Sequence, residues 1–137
     1  MKSKNILLTF ATMLMLLFTA CNSEAQTKNQ TTKSSVSTKI EIIQFHSENR
    51  CMTCNKIEVL TRETLKSYSS IPFSLVNVDD KVNEKKAEQF EASGTALFLY
   101  NPKTGKKKDL TSFAFMNAGN KEKFIAGLKK EIDSFTK

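Results

Sequence analysis

Two cysteines separated by two residues, Cys51 and Cys54, are the residues in this sequence best suited to chemistry. At this spacing the cysteine pair can close a small disulfide ring or share a soft metal ion. A β-branched, partly alternating run from Ile40 to His46 precedes the pair and predicts a strand. An apolar stripe at three- and four-residue steps runs from Ile57 to Tyr68 and predicts an amphipathic helix. A cysteine pair between a strand and a helix favours redox chemistry.

The predicted helix begins close to Cys51, and the first turn of a helix has unpaired N–H groups and about half a positive charge. Arg50 adds a second positive neighbour, and both effects lower the pKa of Cys51 and favour its thiolate. Cys54 lies one turn further along the same face, where it can attack a mixed disulfide formed by Cys51. We therefore predict that Cys51 is the attacking thiol and Cys54 the resolving thiol.

Three further residues are candidates for proton transfer or for tuning the pair: His46 at the end of the predicted strand, and Glu48 and Arg50 on the loop that follows it. His46 is the single histidine of the chain. Together with Cys51 and Cys54 it offers two soft ligands and one borderline ligand, which suit Cu(I) or an open zinc site. A copper- or zinc-binding module is therefore the alternative to a thiol–disulfide oxidoreductase. A third possibility is a purely structural disulfide, although so small a ring stabilises a fold little.

Residues 1–20 have the pattern of a bacterial lipoprotein signal peptide. Lys2 and Lys4 precede the apolar run Ile6 to Ala20, which is shorter than the ~20 residues of a membrane-spanning helix. The run ends in Leu17-Phe18-Thr19-Ala20-Cys21, and small residues followed at once by cysteine resemble a lipobox. This resemblance implies that Cys21 becomes the first residue of the mature protein and carries the lipid.

Lipidation of Cys21 also explains the odd number of cysteines. An exported protein enters an oxidising compartment, where an unpaired thiol is a liability, and with Cys21 acylated only Cys51 and Cys54 remain as thiols, which can pair with each other. Residues 22–38 are almost entirely polar and predict a flexible tether, so that residues 21–38 form the lipidated anchor and its linker. We expect a protein of the bacterial cell envelope, bound to the bilayer of the inner or outer membrane through Cys21, with its domain facing the periplasm. The net charge is +7, but basic residues are not interleaved with aromatic ones, so we expect no nucleic-acid partner.

Residues 39–137 are predicted to form one α/β domain with the element order βαβαββα. The later strands are predicted at Phe73–Asp79, Thr95–Tyr100 and Lys107–Ala114. A helix is predicted over Val82–Ala92, with Val82, Ala87 and Phe90 as its apolar stripe and Ser93-Gly94 as its C-terminal stop. A last helix is predicted after its cap Asn120, and its inward-facing residues are Phe124, Ile125, Leu128, Ile132 and Phe135. Because helices join the first three strands, we expect those strands to be parallel. The fold would then be a three-layer α/β/α sandwich with a central mixed sheet.

This order, with Cys51-Met52-Thr53-Cys54 at the start of the first helix, resembles the thioredoxin superfamily. The run from Phe45 to Cys54 is also similar to a thioredoxin-like family of small nitrophenyl-compound nitroreductase subunits (ArsF-type), in which a Phe-His pair ends the first strand and Arg-Cys-x-x-Cys follows. The resemblance implies a thiol–disulfide oxidoreductase that needs no cofactor besides its redox-active disulfide. Its partners would be a periplasmic protein disulfide or thiol and an electron donor.

The chain departs from the thioredoxin pattern at three places close to the cysteine pair. Met52-Thr53 replaces Gly-Pro between the cysteines, and these two residues influence the redox potential. Gln44 stands about where thioredoxins keep a buried carboxylate, and an amide cannot titrate. Thr95 stands where thioredoxins place a cis-proline facing the cysteines, so the resemblance makes Thr95 a substrate-facing loop residue.

Overall fold

A computed structural model of the protein describes residues 40–137. The predicted signal peptide, the lipidation site Cys21 and the tether lie outside these residues. Strands are formed by Glu41–His46 (β1), Phe73–Asn77 (β2), Ala96–Tyr100 (β3) and Lys107–Asp109 (β4). Helices are formed by Met52–Leu65 (α1), Glu84–Phe90 (α2), Thr111–Asn117 (α3) and Lys121–Phe135 (α4), and a 3₁₀ turn spans Lys81–Asn83.

The four strands form one mixed sheet in the spatial order β2–β1–β3–β4. β1 is parallel to β2 and antiparallel to β3, and β4 is antiparallel to β3. The prediction of an α/β domain with a mixed sheet is confirmed. β1 and β3 occupy the centre, which explains the nearly continuous apolar sequence of β3.

Helices cover both faces of the sheet, because successive side chains of a strand point to opposite faces. Ile42 and Leu97 share one core cluster with Ile57 of α1, Ala114 of α3 and Leu128 of α4. On the other face, a second cluster joins the sheet to α2; its buried members are Ile43, Phe45, Val76, Ala87, Phe90, Ala92 and Phe98. The described residues therefore form three layers, with α1, α3 and α4 on one side of the sheet and α2 on the other.

The prediction that the first three strands are all parallel is wrong for β3. The register pairs Phe45 with Ala96, so the first residues of β3 lie beside the last residues of β1 and β2, at the same end of the strands. For β3 to be parallel, the segment between β2 and β3 would have to return the chain to the opposite end of the strands. At 1.5 Å per residue, the seven-residue helix α2 spans only about 10 Å, which is too short for that return.

The predicted hairpin strand Lys107–Ala114 is also wrong beyond Asp109, because the chain turns there into the additional helix α3. The Asp109 carboxylate accepts the Thr111 N–H at 2.7 Å and so satisfies a donor at the helix start. The Thr111 hydroxyl in turn accepts the N–H of Leu97 at 3.1 Å, where a longer β4 would have paired with β3. The observed order is therefore βαβαββαα, one helix more than predicted.

Two details of the predicted second helix need correction. Val82 lies in the 3₁₀ turn with 89% of its surface exposed, so it does not belong to the apolar stripe, whereas Ala87 and Phe90 are buried. The helix ends at Phe90, before Ser93-Gly94, and its C-cap residue Glu91 adopts the left-handed conformation with φ 54°.

The last helix agrees with its prediction at the cap, where Asn120 accepts the N–H of Lys123. Of its five predicted inward residues, four are buried and Ile125 is half-buried.

Within residues 40–137, no helix combines the length and the apolar character needed to cross a membrane.

Candidate functional site

The cysteine pair lies where the loop after β1 enters α1. Cys51 is the N-cap of α1, in an extended backbone conformation, and Cys54 follows within the first turn. The two sulfur atoms form a disulfide, with an S–S distance of 2.09 Å and a Cα–Cα distance of 5.1 Å. The strand, loop and helix read from the sequence thus bring the two cysteines into bonding contact.

The two cysteine residues differ in their access to solvent. Cys51 is exposed, whereas Cys54 is only 5% exposed. The N–H of Cys54 also points to the Cys51 sulfur, at 3.1 Å, as a capping side chain requires. A thiolate on Cys51 would receive that N–H together with the partial positive charge of the helix start. Only Cys51 combines accessibility to another protein with this stabilisation.

Two hydrogen bonds, one buried and one partly buried, hold Cys54 from the side of the sheet. The Thr95 hydroxyl lies 3.1 Å from the Cys54 sulfur and donates to it. The side-chain amide of Gln44 donates to the Cys54 carbonyl at 3.0 Å. Gln44 is fully buried, and its Oε1 atom has no hydrogen-bond partner among the described residues. The sheet therefore supplies a donor to the sulfur that the sequence assigns to resolution.

Arg50, the predicted positive neighbour of Cys51, is bound to a carboxylate further along the helix. Its Nη1 atom lies 2.7 Å from Glu58 Oε2, and Arg62 Nε donates to Glu58 Oε1 at 2.8 Å. Burial raises the pKa of Glu58, but the hydrogen bonds from Arg62 and Arg50 outweigh burial and hold this pKa below its usual value. Glu58 is thus a carboxylate placed between two guanidinium groups. Its i,i+4 spacing from Arg62 is visible in the sequence, whereas its contact with Arg50 is not.

His46 ends β1 and Glu48 lies on the loop that follows, and neither side chain forms a hydrogen bond to a sulfur of the pair in the described part of the chain. The Nδ1 atom of His46 lies 2.9 Å from the carbonyl of Ser47. A carbonyl can only accept, so Nδ1 carries the hydrogen and Nε2 of a neutral ring is the acceptor. Glu48 is exposed, and its backbone N–H donates to Asp79 at 2.7 Å, which ties this loop to the one after β2.

The metal alternative finds no assembled site among residues 40–137, in which no group of three His, Cys, Asp or Glu side chains is arranged to hold an ion. Cys51 and Cys54 are bonded to each other, and thiolate is the form of cysteine that binds metals. A copper or zinc ion would therefore require reduction of the pair first, with His46 as the third ligand. That alternative stays a prediction.

A surface groove of about 560 Å³ is lined by residues between Phe90 and Phe98 and by Lys107, Asp109 and Thr111. Its lining includes the aromatic side chains Phe90 and Phe98 and the charged side chains Lys107 and Asp109. Thr95 lines this groove and also contacts the Cys54 sulfur, whereas neither Cys51 nor Cys54 lines the groove. The sequence gives no sign of the groove, since it forms between elements whose packing is not local.

Replacing Thr95 with valine is expected to slow the resolution of a mixed disulfide on Cys51. Valine keeps the shape of threonine but removes the donor, and a hydrogen bond to a charged group contributes about 1.5–3 kcal/mol. Part of this loss is recovered, because a less stabilised thiolate is a stronger nucleophile, so we expect a net decrease of roughly tenfold. Rapid-mixing measurement of the release of a small thiol from Cys51 tests this. Thr95→Ser keeps the hydroxyl and is the matched control, and equal rates for the two variants would contradict the role of the hydrogen bond.

Comparisons with known proteins place the chain in no family. No protein-family model matches it, and no curated protein does. Among solved structures, the chain is similar to one described as the structure of a malarial protein, at 19% sequence identity and a TM-score of 0.41. That similarity covers 58% of this chain and 96% of the other.

Proposed function

We propose that this protein is a membrane-tethered thiol–disulfide oxidoreductase with a thioredoxin-like fold. The observation that carries the proposal is the Cys51–Cys54 disulfide at the start of α1, with one exposed and one buried cysteine residue. The α/β/α layering and the disulfide at the start of α1 support a thioredoxin-like fold, and Thr95 lies against Cys54 where thioredoxins place a cis-proline. The anchor would be the lipid on Cys21, holding the domain at the periplasmic side of the cell envelope.

The reaction is a two-electron exchange between two cysteine pairs. The Cys51 thiolate attacks one sulfur of a partner disulfide, a bond forms between the two proteins, and the other partner sulfur leaves as a thiolate. The Cys54 thiolate then attacks the Cys51 sulfur, closes the Cys51–Cys54 disulfide and releases the second partner sulfur. The partner gains two electrons and takes up two protons, while the pair is oxidised. A dithiol electron donor reverses these steps and restores the pair.

The proposed direction is the reduction of periplasmic protein disulfides. The buried side of Cys54, closed by Gln44 and Thr95, protects the resolving sulfur from solvent and from other thiols. The exposed side, with Met52 89% accessible next to Cys51, leaves room for a second protein to approach the attacking sulfur. The groove beside Thr95 provides further contact area for the partner chain.

The test is a redox equilibrium of the full chain carrying Cys21→Ser, so that only the pair can react. The protein is equilibrated with mixtures of reduced and oxidised glutathione, and the dithiol fraction is measured by alkylation and mass. We expect one reversible two-electron transition, together with turnover of a disulfide-bonded test protein that is absent from the Cys51→Ser/Cys54→Ser double variant. A pair that stays oxidised in every mixture would identify a structural disulfide. Stoichiometric uptake of Cu(I) by the reduced protein without disulfide exchange would establish the metal-binding alternative.

A further inference from the structure

We propose that Glu58 is a positioning residue that holds the Arg50 guanidinium along α1 and thereby limits the positive field at the Cys51 sulfur. The inference rests on the proposed function, because it assigns a control on the reactivity of the same cysteine pair. Arg50 precedes Cys51 in the sequence, and on sequence grounds its charge should act fully on that thiol. The structure instead pairs this charge with an opposite one.

Among the described residues, Glu58 is the residue that fixes the position of the Arg50 guanidinium. Arg50 Nη1 meets Glu58 Oε2 at 2.7 Å, whereas Arg50 Nε and Nη2 are buried and have no hydrogen-bond partner among the described residues. One nitrogen of the guanidinium is therefore anchored and two are not. Glu58 lies two helical turns beyond Cys51, about 10 Å along the axis. The ion pair thus draws the side chain of Arg50 from the cap of α1 toward its second turn.

Arg62 stabilises Glu58 in its charged form from the opposite side, through a hydrogen bond of 2.8 Å. Arg62 also lies over the ring of Phe73, at 4.9 Å from the ring centroid, and this contact fixes it against β2. The side chain of Glu58 is only 17% exposed, so solvent screens its negative charge less than it screens a charge on the open surface. At about 10 Å along the axis, the carboxylate acts on the Cys51 sulfur mainly through the position of Arg50 rather than directly.

The other charged groups at this end of the sheet do not replace Glu58. Glu48 and Asp79 are exposed, and within residues 40–137 neither forms an ion pair with Arg50. His46 is directed to the carbonyl of Ser47. Removing the charge of Glu58 therefore leaves Arg50 without a counterion near Cys51.

The consequence is a shift in the redox equilibrium. A free Arg50 charge stabilises the Cys51 thiolate, and a stabilised thiolate favours the reduced form of a cysteine pair. In Glu58→Gln we expect the equilibrium with glutathione to move toward the dithiol by about threefold to tenfold. We also expect iodoacetamide to alkylate Cys51 of the reduced variant about threefold faster at pH 6, because more of the thiol is ionised.

The matched control is Glu63→Gln, which removes an equal charge from the same helix. Glu63 pairs with Lys66 and Lys121, and among the described residues it forms no ion pair with Arg50. It lies about 18 Å from Cys51 along the helix axis. Glu63→Gln is expected to leave the glutathione equilibrium and the alkylation rate of Cys51 unchanged. The double variant Arg50→Gln/Glu58→Gln is expected to lose the shift, because the effect passes through Arg50.

Each outcome separates this inference from the proposed function. If the unmodified pair exchanges with glutathione, but Glu58→Gln behaves as Glu63→Gln does, the inference is wrong and the oxidoreductase function stands. A shift that persists in the double variant would also overturn it, since Arg50 would then have no part. If the unmodified pair does not exchange at all, the proposed function fails, and the alkylation rate of the reduced protein still tests the effect of Glu58. Thermal unfolding of each variant shows whether the fold is retained.

Discussion

Replacing Cys51 with serine is expected to abolish disulfide exchange, with a loss of about three orders of magnitude or more in turnover. Cys51 is the exposed residue of the pair, and it caps the helix that stabilises its thiolate. A serine hydroxyl stays protonated at neutral pH and cannot form the mixed disulfide with a partner. Turnover of a disulfide-bonded test protein, in the Cys21→Ser background, measures the loss.

Replacing Cys54 with serine is expected to block the second step and to leave the first intact. The buried sulfur is then absent, so a partner attacked by Cys51 remains bound through an intermolecular disulfide. Non-reducing electrophoresis followed by mass spectrometry identifies the trapped species. In cells, the trapped proteins are the natural partners, and the bond shows which of their cysteines reacts.

The asymmetry between the two variants is the decisive part of this prediction. Asn55→Ala is the control, because Asn55 is exposed in the same helical turn and contributes no sulfur. It should turn over normally and trap nothing. If Cys51→Ser traps partners and Cys54→Ser does not, the attacking and resolving roles of the two cysteines are reversed. If neither variant loses turnover, the pair does not catalyse the reaction.

The parts of the fold that the sequence predicts are those in which neighbouring residues carry the information. β1 follows from β-branched residues with partial alternation, and α1 follows from apolar residues at three- and four-residue steps. Asn120 marks the start of α4, since a short polar side chain can accept an N–H of the first turn. In each case the decisive contact lies within a few residues.

The direction of β3 and the existence of α3 depend on distances that a local pattern does not contain. Whether a strand returns parallel or antiparallel is set by how far the preceding connection can carry the chain. The break after Asp109 depends on the Thr111 hydroxyl reaching the N–H of Leu97, fourteen residues earlier. A run such as Thr111 to Asn117 is compatible with either a strand or a helix until that contact is known.

The candidate site divides in the same way. The spacing of Cys51 and Cys54 before an amphipathic helix predicts both the disulfide and its position at the helix start. Arg50 is visible as a charge beside Cys51, but its partner Glu58 is selected by the path of the loop. The amide of Gln44 likewise finds the Cys54 carbonyl only because β1 packs beneath the first turn of α1. Residue types at a site are thus predictable from sequence, whereas their pairing requires the fold.

Replacing Phe45 with alanine is expected to lower the free energy of unfolding by about 3–5 kcal/mol. Phe45 is fully buried in β1 on the α2 face of the sheet. Its ring centroid lies 5.3 Å from that of Phe90 and 5.9 Å from that of Phe98. Alanine would leave a cavity among these rings and remove both aromatic contacts. Urea denaturation of the oxidised protein, monitored by circular dichroism, measures the change.

Phe115→Ala is the matched control for the size of this effect, because it deletes the same ring where 42% of the residue is exposed. Its cost should stay below about 1 kcal/mol, as for other surface substitutions. A difference between the two variants of several kcal/mol would show that the cluster around Phe45 stabilises the α2 side of the sheet, which carries the segment leading to Thr95. Equal losses would contradict the packing described for this face. An unchanged redox equilibrium in folded Phe45→Ala would further separate the stability of the domain from the reactivity of Cys51 and Cys54.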